Sequence, residues 1–185
     1  MTPIDVLMEE HRIIERVLDV LERAAQNLSV DSGGSADFFL KAVDFIQGFA
    51  DGCHHQKEEG VLFEVLVALG LSKTAGPVAV MLAEHEQGRH LTQTLQEGAR
   101  RLQAGESAAV SLVTEGALGY VALLRGHIRK EDCVLFPLAN RIIPAEQRQQ
   151  MVADFERITR EENRQENIRE KYLRLVVELE NAVGA

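Results

Sequence analysis

Apolar residues recur at alternating steps of three and four positions along four stretches of the chain, which is the spacing of helices with one buried face. The predicted helices are residues 2–28, residues 36–69, a stretch from Gly76-Pro77 to Gly105, and a stretch that Ser107 caps. Thr2 and Pro3 suit the N-cap and the first position of the first helix. A loop at residues 32–35 follows that helix. Because the connections are short, the pattern predicts an all-α fold, an up-down-up-down four-helix bundle.

A charged segment follows the four-helix pattern and begins at Pro144. Residues 145–183 carry apolar positions at helical spacing, which predicts one helix or a broken helical pair docked on the bundle. These positions are Met151, Phe155, Ile158, Ile168, Tyr172, Leu175 and Leu179. The sequence therefore predicts a bundle domain over residues 1–142 and a C-terminal helical extension over residues 143–185.

One histidine interrupts the apolar face of each predicted bundle helix. These histidines are His11, His54, His85 and His127. Two of them are followed four residues later by a glutamate, Glu58 or Glu131, which a helix places one turn away on the same face. A core histidine with an ordinary hydrogen-bond partner is the alternative for any one of them. Burying two glutamates without a cation would cost several kcal/mol, so the combination favours metal binding.

The types of side chain indicate which metal fits. Imidazole and carboxylate groups without thiolates exclude a cysteine-rich structural zinc site. They favour iron first and manganese second, and carboxylates can bridge two ions. The ferritin-like di-iron class uses a Glu-x-x-His motif. That class is excluded, because none of the six histidines has a glutamate three residues before it.

Five neighbouring residues are candidates either for additional ligands or for groups that support the ligands. They are Glu15, His55, Glu59, Glu86 and Arg89. Glu15 follows His11 by four residues, so it is a candidate ligand. His55 and Glu59 repeat the four-residue spacing, but an α-helix rotates them by about 100° from the metal-facing pair, so they are interpreted as flanking residues. His90 is expected on the surface, since five residues rotate it by about 140° from His85.

The composition argues against some classes of binding partner. The net charge is −9, and the sequence has no basic patch, so nucleic-acid binding is not expected. No apolar run is expected to reach the length of about 20 residues that a membrane span needs. An amphipathic pattern rather than a signal peptide opens the chain. Two cysteines far apart predict reduced thiols in a cytoplasmic protein. The sequence indicates no protein partner.

Four motifs together resemble the hemerythrin-like family with the HHE cation-binding domain. They are Glu10-His11-Arg12, His54-x-x-x-Glu58, Glu84-His85-Glu86, and His127-x-x-x-Glu131 followed by Leu135-Phe136-Pro137. The resemblance covers roughly residues 4–140 and implies a four-helix bundle around a non-haem di-iron centre. The two irons would be bridged by carboxylates and, in one form, by an oxo group. Carried over residue by residue, it implies the ligands His11, His54, Glu58, His85, His127 and Glu131.

Arg89 departs from the pattern of the oxygen-carrying hemerythrins, which place a second histidine one turn after the ligand of the third helix. The missing imidazole is expected to open a coordination position or to admit a carboxylate such as Glu15. The arginine is expected to draw small anions towards that opening. With four histidines and two glutamates, the chain resembles family members associated with nitric-oxide response, with repair of iron centres, or with handling of iron and oxygen.

Two classes of function fit this ligand set. One is a binding protein whose di-iron centre takes up O2, NO or iron itself, with azide as a further expected ligand. The other is a di-iron oxidoreductase that turns over NO or peroxide, or an iron donor for repair. A bundle in which the metal only stabilises the fold is a third interpretation. On the six-ligand set, exposure to oxygen is expected to oxidise the centre without a long-lived oxygenated form.

Overall fold

The structure is a computed structural model that describes residues 1–29, 35–162 and 167–184. These residues form helices and no strands, which confirms the prediction of an all-α helical bundle. The predicted loop at 32–35 lies outside the described residues except for Ser35.

The first helix, α1, spans Pro3–Gln26 and begins with a capping box. The Thr2 hydroxyl accepts a hydrogen bond from the Asp5 N–H, and the Thr2 N–H donates to the Asp5 carboxylate. Two N–H groups that a helix start leaves unpaired are satisfied in this way. The predicted N-cap and the proline at the first helical position are therefore confirmed.

The second bundle helix departs from regular α geometry where it carries its histidines. It consists of α2 (Ser35–Phe45), a π-helical segment Ile46–His55, a second π-helical segment Glu58–Leu62, and α3 (Phe63–Ala68). Its end agrees with the predicted stop, because Gly70 adopts a φ of 103° that favours glycine. The i→i+5 hydrogen bonding of the π segments is rare and often occurs at functional sites.

The third helix, α4, spans Gly76–Gln103, as predicted. The fourth bundle helix consists of α5 (Val110–Lys130), a π-helical segment Glu131–Leu135, and α6 (Phe136–Ile142). Ser107 does not cap it; it begins a 3-10 turn, Ser107–Ala109, that precedes α5. Among the bundle helices, α4 packs on α5 and on α2, and α1 packs on both α5 and α2.

Two apolar clusters fill the bundle and leave a polar layer between them. One cluster includes Ile14, Phe49 and Leu124, and the other includes Leu7, Leu62 and Phe136. His11 follows Leu7 and precedes Ile14 along α1, so it lies where one cluster gives way to the other. His127 likewise follows Leu124 and precedes Phe136. The polar layer that holds these histidines is therefore enclosed above and below by apolar side chains.

The C-terminal extension consists of α7 (Ala145–Glu162) and α8 (Ile168–Ala182). Met151, Phe155 and Ile158 join the second apolar cluster, whereas Tyr172, Leu175 and Leu179 join the first. Gly48 permits the contact with α8, because a Cβ there would meet the Tyr172 hydroxyl at 1.6 Å. The predicted docking faces are thus buried on the bundle, while the division between residues 142 and 143 stays a prediction.

The helical stretch Ser107–Ile142 is long and apolar enough to cross a membrane, by length and composition alone. The expectation that no apolar run is long enough is therefore wrong. Length and composition are weak evidence for a span, since a helix of a protein core passes the same test. In the bundle, this stretch contributes Val113, Ala117 and Val121 to the first apolar cluster.

Candidate metal centre

Seven buried side chains form two groups whose ligand atoms lie within 4.8 Å of one another. The first group consists of His11, His54, Glu58 and Glu131, and the second consists of His55, Glu58, His85 and His127. Glu58 belongs to both groups. All six residues predicted as ligands therefore come together in the polar layer, and His55 joins them.

Each of the two glutamates lies between a histidine of one group and a histidine of the other. The Oε1 atom of Glu58 is 3.5 Å from His54 Nε2, and its Oε2 atom is 3.5 Å from His85 Nε2. The Oε2 atom of Glu131 is 3.2 Å from both His11 Nε2 and His127 Nε2. Carboxylates in these positions suit a pair of cations, because each carboxylate can contact both.

His55 lies inside the site, which agrees with its place among the candidate additional ligands rather than with the flanking position that α-helical spacing suggests. A regular α-helix turns by about 100° between neighbouring residues. The structure instead has i→i+5 bonding over Ile46–His55, and this bonding changes the angular step. The His55 and His85 rings stack with their centroids 3.8 Å apart. The third helix carries Arg89, not a second histidine, one turn after His85. His55 of the second bundle helix supplies a further imidazole to this ligand group.

The five histidines share one arrangement: Nδ1 meets a carboxylate, and Nε2 is left for the centre. The pairs are His11 with Asp132 (2.7 Å), His54 with Glu10 (3.1 Å), His55 with Asp51 (3.1 Å), His85 with Glu59 (2.7 Å) and His127 with Glu84 (3.0 Å). Histidines that bind metals usually pair their other ring nitrogen in this way, which fixes the tautomer and the ring orientation. His55 follows the same pattern as the four predicted ligands.

Four of these carboxylates connect neighbouring bundle helices in a closed ring. Glu10 of the first helix contacts His54 of the second, and Glu59 of the second contacts His85 of the third. Glu84 of the third helix contacts His127 of the fourth, and Asp132 of the fourth contacts His11 of the first. Each supporting acid is therefore next in sequence to a candidate ligand but serves the histidine of another helix.

Cations surround this ring and balance part of its charge. Arg12 pairs with Asp132, Lys57 with Glu10, Lys130 with Glu84, and Arg89 with both Asp51 and Glu59. Lys57 is only 3% exposed, so its ammonium group depends on the Glu10 carboxylate for stabilisation. The histidines, their carboxylates and these cations form three successive shells around the two glutamates.

The carboxylate oxygens and histidine nitrogens at the middle of the site would pair better with cations than with one another. In the described part of the chain, both oxygens of Glu58, both oxygens of Glu131, and the Nε2 atoms of His11 and His55 are buried without a hydrogen bond of good geometry, although histidine nitrogens lie 3.2 to 3.5 Å from three of these oxygens. Leaving buried carboxylate oxygens unpaired carries a large free-energy cost. Cations between the two groups would remove that cost, so the residues present fit a two-ion centre.

Without metal, the site retains protons on some of its histidines. Burial lowers the pKa of His11, but the hydrogen bond with Asp132 and the nearby Glu131 carboxylate outweigh burial and raise this pKa to about 10. Burial also lowers the pKa of His85, yet Glu58 and Glu59 raise it to about 9. Burial lowers the pKa of His54 to about 3. Metal ions must therefore displace protons from part of the site.

We expect iron binding at neutral pH to release protons and to become tighter as the pH rises. The protonated form of His11 stabilises the metal-free fold fully below its unfolded pKa near 6.5, and this contribution is lost as the pH rises towards 10. The gap in melting temperature between iron-loaded and metal-free protein should therefore widen over this range. Calorimetric titration with ferrous iron in buffers of different ionisation enthalpy measures the protons, and a heat independent of the buffer would contradict the expectation.

Other residues singled out in the sequence lie outside the ligand groups. Glu15 is 38% exposed and pairs with Arg12, so the structure does not support it as a ligand. Glu86 is 66% exposed and pairs with Arg89. His90 is exposed, as expected. Cys53 is buried, Cys133 is exposed, and no disulfide joins them.

Arg89 does not present an unbalanced positive charge. Its guanidinium group contacts the carboxylates of Asp51, Glu59 and Glu86. Three carboxylates already pair with this one cation, so the structure does not support the expectation that Arg89 draws anions to the centre, which stays a prediction. The expectation of an open position at Arg89 stays a prediction, and the His55 imidazole is a candidate to fill that position.

Comparison with known proteins agrees with this geometry. The family model described as the hemerythrin HHE cation-binding domain matches residues 2–139. An uncharacterized protein of Mycobacterium bovis (Mb2018) and an uncharacterized protein of Mycobacterium tuberculosis (Rv1995) are each 25% identical to this chain over 150 residues. Those matches cover 81% of this chain and 58% of each relative, so the chain spans somewhat more than half their length. No solved structure matches.

Proposed function

The chain belongs to the hemerythrin family of HHE cation-binding domains, and we propose that its buried centre holds two iron ions and binds the small uncharged ligands O2 or NO. The observation that carries the proposal is the pair of ligand groups joined by Glu58. Five imidazoles and two carboxylates suit iron, with manganese as the alternative metal. Iron would supply a redox-active position at which a diatomic ligand can bind.

The side chains around the centre orient its ligands and exclude water. The Phe136 ring stacks on His11 with the centroids 5.3 Å apart, and the Phe63 ring stacks on His85 at 5.8 Å. Each ring closes one side of the polar layer with apolar surface. The carboxylates on Nδ1 hold the histidine protons away from the centre, so Nε2 stays available to a cation. This arrangement favours binding of a ligand without loss to bulk solvent.

The presence of His55 in a ligand group changes the reaction with O2 that we expect of the centre. A six-ligand set, with one imidazole fewer than in the oxygen carriers, predicts rapid oxidation without an oxygenated form. With His55 included, the groups offer five imidazoles and two carboxylates, and that reason no longer applies. We therefore propose binding of O2 or NO. An oxidoreductase that consumes NO or peroxide, or an iron donor for repair, is the alternative within the same ligand set.

Anaerobic reconstitution with ferrous iron tests the proposal. We expect about two iron ions per chain and a change in the optical spectrum when O2 or NO is added in stopped flow. Stoichiometric, reversible uptake would support a binding protein, and catalytic consumption of added NO or peroxide would favour the oxidoreductase. A single tightly held zinc ion, or no metal after reconstitution, would contradict the proposed centre.

A further inference from the structure

A pocket of about 530 Å³ lies between the bundle and its C-terminal extension. The bundle contributes Val6 of α1 and Lys57 of the second bundle helix to its wall. The extension contributes Phe155 and Arg160 of α7 and Arg169 of α8. Sites for small molecules commonly have volumes of about 300 to 1,000 Å³, so this pocket has the size of a ligand site.

This pocket is separate from the candidate metal centre. None of the seven side chains of the two ligand groups is among the described residues that line it. Most of its wall, including Val152, Thr159 and Arg160, belongs to the extension, whereas the match to the family model ends at residue 139. A ligand bound here would therefore depend on the extension and not on the hemerythrin domain alone.

The pocket wall is more positive than the chain as a whole, whose net charge is −9. The cations in the wall are Lys57, Arg160 and Arg169, and the carboxylate among the described lining residues is Glu156. Lys57 is buried and pairs with Glu10, which balances its charge. The two arginines therefore supply the positive charge that an incoming anion meets.

Both arginines have donors to offer to a ligand. The ion pair of Arg160 with Glu156 has a distance of 3.8 Å, and that of Arg169 with Glu9 has a distance of 3.6 Å. These distances are longer than those of hydrogen bonds. A guanidinium group binds a carboxylate most strongly through two parallel N–H donors. A carboxylate in the pocket would give the arginines the close contacts that their present partners do not make.

Part of the pocket wall is apolar, and this part limits the kind of anion that fits. Val6, Val152 and Phe155 line the pocket, and Phe155 is anchored in the second apolar cluster. Apolar surface of this kind favours a ligand with a hydrocarbon body. A second negative charge on the ligand would be repelled by Glu156 and Glu9. The pocket thus suits an anion with one charge and an apolar body.

We propose that this pocket binds a small organic monocarboxylate. Its carboxylate lies against Arg160 and Arg169, and its apolar body lies against Val152 and Phe155. The inference goes beyond the proposed function, because the site contains none of the candidate metal ligands and needs no iron. It therefore stands or falls separately from the proposed two-ion centre.

Calorimetric titration of the full chain with octanoate tests the inference. We expect saturable binding of one octanoate per chain. Arg160→Gln and Arg169→Gln should each weaken it about tenfold, because each removes charged hydrogen bonds. Octanamide has the same length without the charge, so it should bind more weakly than octanoate by a similar factor. Both arginines are more than half exposed, so these variants should fold as the wild type does.

Arg157→Gln is the matched control, because Arg157 is an exposed arginine of α7 outside the pocket. It removes the same charge and should leave the octanoate affinity as in the wild type. Equal losses in Arg157→Gln and Arg160→Gln would reduce the effect to general attraction of anions and overturn the inference. Octanamide binding as tightly as octanoate, tighter binding of inorganic phosphate, or no saturable octanoate binding would overturn it as well.

Discussion

Replacing Glu58 with alanine is expected to empty both ion positions. Glu58 is the residue common to the two ligand groups, with one oxygen 3.5 Å from His54 and the other 3.5 Å from His85. Its loss removes a carboxylate from each ion at once. Iron content after anaerobic reconstitution should fall from about two ions per chain to well below one, since a bridging ligand is lost from both sides. Metal analysis after desalting measures it.

Glu15→Ala is the control for this change. Glu15 is a glutamate that the sequence places near the ligands, yet it pairs with Arg12 at the surface. Its replacement should leave the iron content as in the wild type, with at most about 1 kcal/mol of stability lost from an exposed ion pair. Full iron content in Glu58→Ala, or equal losses in the two variants, would show that the shared position is wrongly assigned.

His55→Ala is expected to remove one ion and spare the other. His55 belongs only to the second group, where His85 and His127 would remain with Glu58. Changes to groups that merely support a metal ligand weaken binding about 10- to 100-fold, so loss of a ligand should weaken the second ion at least that much. We expect about one iron per chain at limiting ferrous iron, and an optical spectrum without the features of a coupled pair.

Two comparison variants, His90→Ala and Asp51→Asn, test whether the iron lost in His55→Ala is lost because a ligand has been removed. His90 is an exposed histidine of α4, and its removal should leave both ions in place. Asp51→Asn keeps the shape of the side chain that meets His55 Nδ1 but removes its charge, so it should weaken the second ion less than His55→Ala does. If His55→Ala retains two ions, His55 is not a ligand, and the centre has the six ligands that the family resemblance implies.

The ring of carboxylates links metal binding to the packing of the bundle helices. Each of Glu10, Glu59, Glu84 and Asp132 joins a histidine on the next bundle helix. An ion bound to any of these histidines therefore fixes the orientation of a side chain on a second helix. Because all four bundle helices take part, metal binding and the packing of the polar layer stabilise each other.

The sequence by itself determined the helices and most of the centre. Apolar spacing depends on local geometry, so it predicted α1, α4 and the extent of the second bundle helix to within a few residues. The four-residue spacing of His54 with Glu58 and of His127 with Glu131 predicted which side chains face inward. These features follow from one helix at a time, and for that reason they could be read without knowing how the helices pack.

Only the tertiary structure decided the surroundings of those ligands. His55 lies in the centre on a π-helical segment of the second bundle helix, and apolar spacing read with a regular step of about 100° does not anticipate such a segment. The sequence indicates Glu59 as a candidate supporting residue, but it does not show which histidine each acid supports, because that histidine lies on a different helix. Glu15 and Arg89 were judged from spacing alone, whereas their actual partners, Arg12 for Glu15 and three carboxylates for Arg89, are set by packing and solvent exposure. Apolar periodicity shows which face of a helix is buried, whereas the packing between helices determines which residues that face contacts.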